Sequence, residues 1–120
     1  MSPTPTPPPP LAAAVTLLDR AERECTTRAD TATSGWEDLA VWHVDAQLVR
    51  IAAETLRSAS TAPLPELPPW SPAAGLDPLE LLRAAWEELQ EVPDELENVP
   101  LFLGRLRTSD ALAAVRRHYE

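Results

Sequence analysis

Four kinds of side chain in this sequence could take part in chemistry: the histidines His43 and His118, the carboxylates around His43, the single thiol of Cys25, and a cluster of arginines near the C-terminus. Residues 33–50, TSGWEDLAVWHVDAQLVR, concentrate two tryptophans, His43 and three carboxylates. A histidine there could act as general base or metal ligand, because an imidazole changes charge near neutral pH and offers a nitrogen lone pair. A metal site needs further ligands, and His118 is the only other imidazole. Glu54, three turns from His43 and about 16 Å along a helix, cannot share its ion. Cys25 could be a nucleophile only if exposed beside a positive charge; its helical spacing from apolar neighbours makes it a small buried hydrophobe instead. The candidate polar or ligand-binding residues are therefore His43, Asp45, Gln47 and Trp70. No catalytic residue, metal or cofactor is assigned.

Their placement depends on the helix that carries residues 33–50. With His43 at 0° and about 100° of rotation per residue, Trp36, Leu39, His43, Gln47, Arg50, Glu54 and Arg57 form one mostly polar stripe. Val41, Val44, Leu48, Ile51 and Ala52 fill a second sector, and Trp42, Ala46, Val49, Ala53 and Leu56 a third. So wide an apolar surface exceeds what a surface helix needs, so this helix is expected to be central and covered on most sides. Asp45 falls between the two apolar sectors, where an unpaired carboxylate is costly to desolvate. Arg105, Arg107, Arg116 and Arg117 are its expected partners, since a bidentate guanidinium contact would offset that cost and lock the last helices onto this one. The alternative is a carboxylate kept for function, with a raised pKa or a bound ligand.

The elements that would position these residues are helical. The first helix is expected from about Leu11 to Ala29, with Leu11, Val15, Leu18, Ala21, Cys25 and Ala29 on one side. Ser34 followed by Glu37 has capping-box spacing, which starts the second helix and lets it run to about Ser58, some 37 Å. Residues 60–76 are proline-rich and are expected to lie over the bundle as a strap, with Leu64, Leu67 and Trp70 on one edge of a polyproline helix and Trp70 as anchor. Asp77-Pro78-Leu79-Glu80 opens the third helix with a cap, a proline at the first position and a capping-box glutamate. Leu82, Trp86 and Leu89 are its inner stripe, joined by Leu79 and Ala85, and Pro93 ends it. A brief helix from Pro100 should turn Leu103 and Leu106 inward. Thr108 or Ser109 should then cap a terminal helix with Leu112, Val115 and Tyr119 on one side.

The fold class that results is all-α: a small bundle of four to five helices with a long central helix, a single domain over 11–120. Residues 1–10, MSPTPTPPPP, read as a disordered proline-rich leader, in which Pro5 and Pro8 make a PxxP spacing. The net charge of −9 opposes a nucleic-acid backbone, whose affinity rests on Lys and Arg neutralising phosphates. The charge is also divided internally. Asp77 to Glu97 holds eight carboxylates and one arginine, whereas Leu101 to Glu120 carries four arginines and two carboxylates. All ten basic residues are arginine, with one isoleucine and one asparagine, the composition of a GC-rich genome. A single cysteine excludes an internal disulfide, and no apolar run approaches the ~20 residues that span a bilayer. A cytoplasmic location and no membrane partner are expected.

GWEDLAVWHVDAQLV resembles the tryptophan-then-histidine helix of DinB-like and mycothiol-dependent maleylpyruvate isomerase bundles over these fifteen residues. The resemblance implies a helical bundle in which three histidines from separate helices hold a divalent metal. His43 matches one of them; the other two are missing, and the spacing from Trp36 is one residue short. On the resemblance alone this chain would be a degenerate, non-catalytic member. The residues themselves lack a glycine-rich phosphate loop, a zinc spacing and a nucleophile beside a histidine. The expected role is a non-enzymatic interaction or accessory module, with a protein partner or a second copy. The alternatives are a ligand-binding or divalent-metal-assisted enzyme with a pocket beside His43 and Asp45, and phosphate or nucleic-acid binding by the C-terminal arginines.

Overall fold

The computed structural model describes residues 10–31, 35–60, 64, 76–93 and 97–120. Among these are four α-helices and no strand: α1 Pro10–Asp30, α2 Trp36–Arg57, α3 Pro78–Gln90 and α4 Val99–Arg116, with a 3-10 turn at Arg117–Tyr119. The all-α class is as expected. Residues 1–9 and most of the proline-rich strap, Leu67 and Trp70 included, lie outside the described residues. Leu64 and Leu76, at either side of that stretch, pack against the core.

Each described helix start has a local cause. Proline opens α1, where its missing N–H would be unpaired anyway. Gly35 caps α2 with φ 114°, a backbone conformation that favours glycine. α2 begins after Gly35 with no side-chain cap at that position; Ser34, from which a capping box was expected, lies outside the described residues. At α3 the expected box is present: Asp77 Oδ1 accepts from the Glu80 N–H at 2.8 Å, and Glu80 Oε1 accepts from the Asp77 N–H at 3.4 Å. The helix stops at Gln90, three residues before Pro93. Asn98 caps α4 by accepting from the Leu101 N–H at 2.9 Å.

The expected break at Thr108 or Ser109 does not occur; α4 runs through as one helix. Thr108 is fully buried, and its hydroxyl donates to the Gly104 carbonyl at 2.8 Å. That bond satisfies the buried hydroxyl inside a helix without ending it. The continuous helix turns Gly104, Thr108, Ala111 and Val115 to the core and leaves Leu103 and Leu106 exposed, reversing the orientation expected for the two leucines.

α1 packs on α2 and α3, and α4 packs on the same two helices from the other side. Small residues permit close approach. Ala14, Ala21, Cys25 and Ala29 of α1 are fully buried, as are Ala52 and Ala53 of α2 to within 1%, and larger Leu18, Leu56, Leu81, Leu82 and Leu89 fill the space between. Each such leucine contributes about 1.5–3 kcal/mol by leaving water. At Gly104 the backbone of α4 comes so close to α2 that an added Cβ would lie 2.6 Å from Leu56 Cγ. Polar ties join the helix ends: Asn98 Nδ2 donates to the Ala59 carbonyl at 3.0 Å, Arg105 to the Leu89 carbonyl at 3.1 Å, and Arg57 pairs with Asp19. α2 is the longest helix, yet it is covered on two sides and not most of the way round. Val41, Val44 and Ile51, expected in a covered sector, are exposed.

Candidate functional site

Asp45 is buried at 4% exposure. Its partner is not one of the C-terminal arginines but His118, whose Nε2 lies 2.5 Å from Asp45 Oδ2. The His118 ring stacks on Trp42, with centroids 3.7 Å apart and planes 10° from parallel. Trp42 also has the Arg28 guanidinium over its ring at 5.6 Å, a cation–π contact. The cause is positional. Val115 lies on the inner stripe of α4, and the 3-10 turn carries His118, three residues on, into the same space. Arg116 points out and pairs with Glu120, and Arg117 and Arg107 are exposed. Arg105 is taken by Glu97 and the Leu89 carbonyl.

The other sequence candidates do not converge with Asp45. His43 and Gln47 sit on the exposed stripe of α2; His43 is 4.0 Å from Asp30, with both side chains about half exposed or more. Trp70 lies outside the described residues. Two residues apart on a helix, His43 and Asp45 point about 160° apart, so they do not line one pocket. Among the described residues no three His, Cys, Asp or Glu side chains are grouped to hold a metal ion.

Cys25 faces the same end of the core. Burial, and then the nearby Asp45 charge, raise its thiol from 9.0 to about 12, with Arg28 acting in the opposite direction. That is the reverse of an activated thiol, which a positive environment would lower. Tyr119, the next residue after His118, also has its pKa raised, first by burial, with Arg28 offsetting and Asp77 adding to the rise. Asp45, His118 and Trp42 therefore form a latch that fastens the last turn of the chain to α2. Sequence reasoning missed His118 and Trp42 as a unit; the usable signal was the run Gly104, Thr108, Ala111, Val115, His118 at spacings of four, three, four and three.

The second feature is a surface. Val41, Val44 and Ile51 of α2 and Val99, Phe102, Leu103 and Leu106 of α4 are all large, apolar and 39% to 70% exposed. Leu48, half-buried, continues the α2 row. The rows occupy neighbouring helices, since α2 and α4 pack together. Exposed apolar residues occur singly on any protein and the largest patch of an ordinary monomer is about 300–600 Å², whereas larger contiguous patches mark interaction surfaces. A separate acidic cluster, Asp77, Glu80, Glu87, Glu88 and Glu91, belongs to α3 and its flanks. Glu88 is partly buried there, and burial followed by Glu91 and Glu87 raises its pKa.

No family model matches the chain, and neither does any curated protein or solved structure. Among the described residues no helix is long and apolar enough to cross a membrane.

Proposed function

We propose that this protein is a non-enzymatic interaction module, an accessory or regulatory component that presents the α2–α4 face to another polypeptide chain. The observation that carries this reading is the row of large apolar side chains left in water on both helices. Placing Val44, Phe102 and Leu106 in solvent has a cost in solubility, and a partner that covers them removes it. The polar constellations fit this reading. The buried Asp45–His118 pair is used up in holding the 3-10 turn after α4 against α2, and the Cys25 thiol is kept protonated. The metal-assisted alternative draws no support from the placement of His43 and Gln47, which face away from Asp45.

A photo-crosslinking amino acid at position 44 or 102, compared with one at position 87 on α3, tests the proposal in the cell that makes the protein. The expected outcome is a polypeptide adduct from 44 and 102 and none from 87. Equal labelling at all three positions, or none, would overturn it.

A further inference from the structure

Resting on that reading, we infer that the chain covering this face is a second copy of the same protein, related by a two-fold axis that sets α2 antiparallel to its counterpart. The outer row of α2 is Val41, Val44, Leu48 and Ile51, with steps of three, four and three. This is a strict a/d seam, narrower than the stripe by which a helix joins its own core, and it is the pattern of helices that pair through knobs and holes. α2 already has a broad inner stripe for its own fold: Trp42, Asp45, Ala46, Val49, Ala52, Ala53 and Leu56. The seam is thus surplus to the bundle.

Steps of three, four and three read the same in either direction. An antiparallel copy therefore presents the same row to itself, as a two-fold interface requires. Val44 meets the partner's Leu48, and Val41 meets the partner's Ile51. Val99, Phe102, Leu103 and Leu106 on the neighbouring helix form an apolar margin.

Charge selects the same occupant. Each chain carries −9, so two copies repel unless they meet where the negative charge is absent. Five carboxylates and Arg83 lie between Asp77 and Glu91, giving α3 an acidic surface. On α2, Arg50 pairs with Glu54 and Arg57 with Asp19; on α4, Arg105 pairs with Glu97 and Arg116 with Glu120. Arg107, Asp110 and Arg117 are the remaining charges of α4 and its turn, and they are of both signs. A basic partner would be steered to α3 by complementarity; the apolar row, beside which the described charges of α2 and α4 are paired or of both signs, suits a chain of like charge. A stable pair needs roughly 800 Å² from each side, toward which the exposed rows of both helices contribute together with the stems of Gln47, Glu54 and Arg107.

The test is sedimentation of the full chain from micromolar to millimolar concentration, with Val44→Asp alongside and the helix signal of both followed by circular dichroism. A dimer is expected for the native chain, weakened at least about tenfold by Val44→Asp at unchanged helicity, since position 44 is 58% exposed. Mixed pools carrying Val44→Cys or Leu48→Cys should form the 44-to-48 disulfide between copies under mild oxidation. A strictly monomeric chain whose position-44 probe still captures a different protein would overturn self-pairing and leave the interaction module standing. A monomer with no adduct would overturn both. A dimer indifferent to Val44→Asp and lacking the disulfide would overturn the α2 seam.

Discussion

Replacing His118 by alanine isolates the latch. In the native structure Asp45 is enclosed, its 5% exposed side chain set against a His118 side chain that is 13% exposed. Removing one partner of a fully enclosed pair costs about 3–5 kcal/mol, because the other charge is left without compensation. His118 lies in the 3-10 turn after α4 and keeps 13% of its side chain exposed, so its removal lets water reach Asp45, which reduces that cost to about 2–3 kcal/mol on the same reasoning. Loss of the ring from Trp42 adds about 0.5–1.5 kcal/mol. His118→Ala should therefore destabilise the protein by about 2.5–4.5 kcal/mol, measured by urea unfolding at pH 7 with tryptophan fluorescence as the probe. Asp45→Asn in the same background removes the stranded charge and should recover about 1–2 kcal/mol, a coupling expected only of residues in contact. A His118→Ala cost below about 0.5 kcal/mol, the level of an ordinary surface change, would refute the latch. So would an Asp45→Asn/His118→Ala chain no more stable than His118→Ala alone.

Three further outcomes follow from described contacts. Gly104→Ala forces Leu56 to move, at about 1–3 kcal/mol for overpacking against about 1 kcal/mol gained in helix propensity; thermal melts should show net destabilisation, relieved when Leu56 is shortened to valine. Cys25 has a folded pKa of about 12 against 9.0 ordinarily. Its contribution to stability is thus complete below pH 9 and is lost as pH rises toward 12, by at most about 4 kcal/mol; Cys25→Ala should flatten the alkaline arm of a stability–pH curve, and the native thiol should resist alkylation at pH 8. Asp77→Ala removes one side of the capping box and should lower stability by about 1 kcal/mol, read by chemical denaturation.

What could be read from the chain was whatever one element decides alone. Asp77, Pro78 and Glu80 lie within one turn, and their roles follow from local geometry. The burial of Asp45 was legible because angle along a single helix reveals it. Its partner was not, because partners are chosen between helices: counting charges favoured four arginines, whereas the position of the final turn delivers an imidazole. The same limit explains α2. Its apolar circumference was plain, but nothing local distinguishes a sector that a neighbour covers from one left in water, so Val41, Val44 and Ile51 were placed inside. Thr108 misled because a hydroxyl that caps one helix can equally bond back within another, and that choice turned Leu103 and Leu106 outward.

Asn98 is the only asparagine in the chain, and it uses both ends of its amide: the oxygen starts α4 and the nitrogen holds Ala59. Deamidation to aspartate would spare the first task and reverse the second, setting a carboxylate against a carbonyl. Ageing by a single mass unit would thus leave every helix intact while unfastening the joint between two of them.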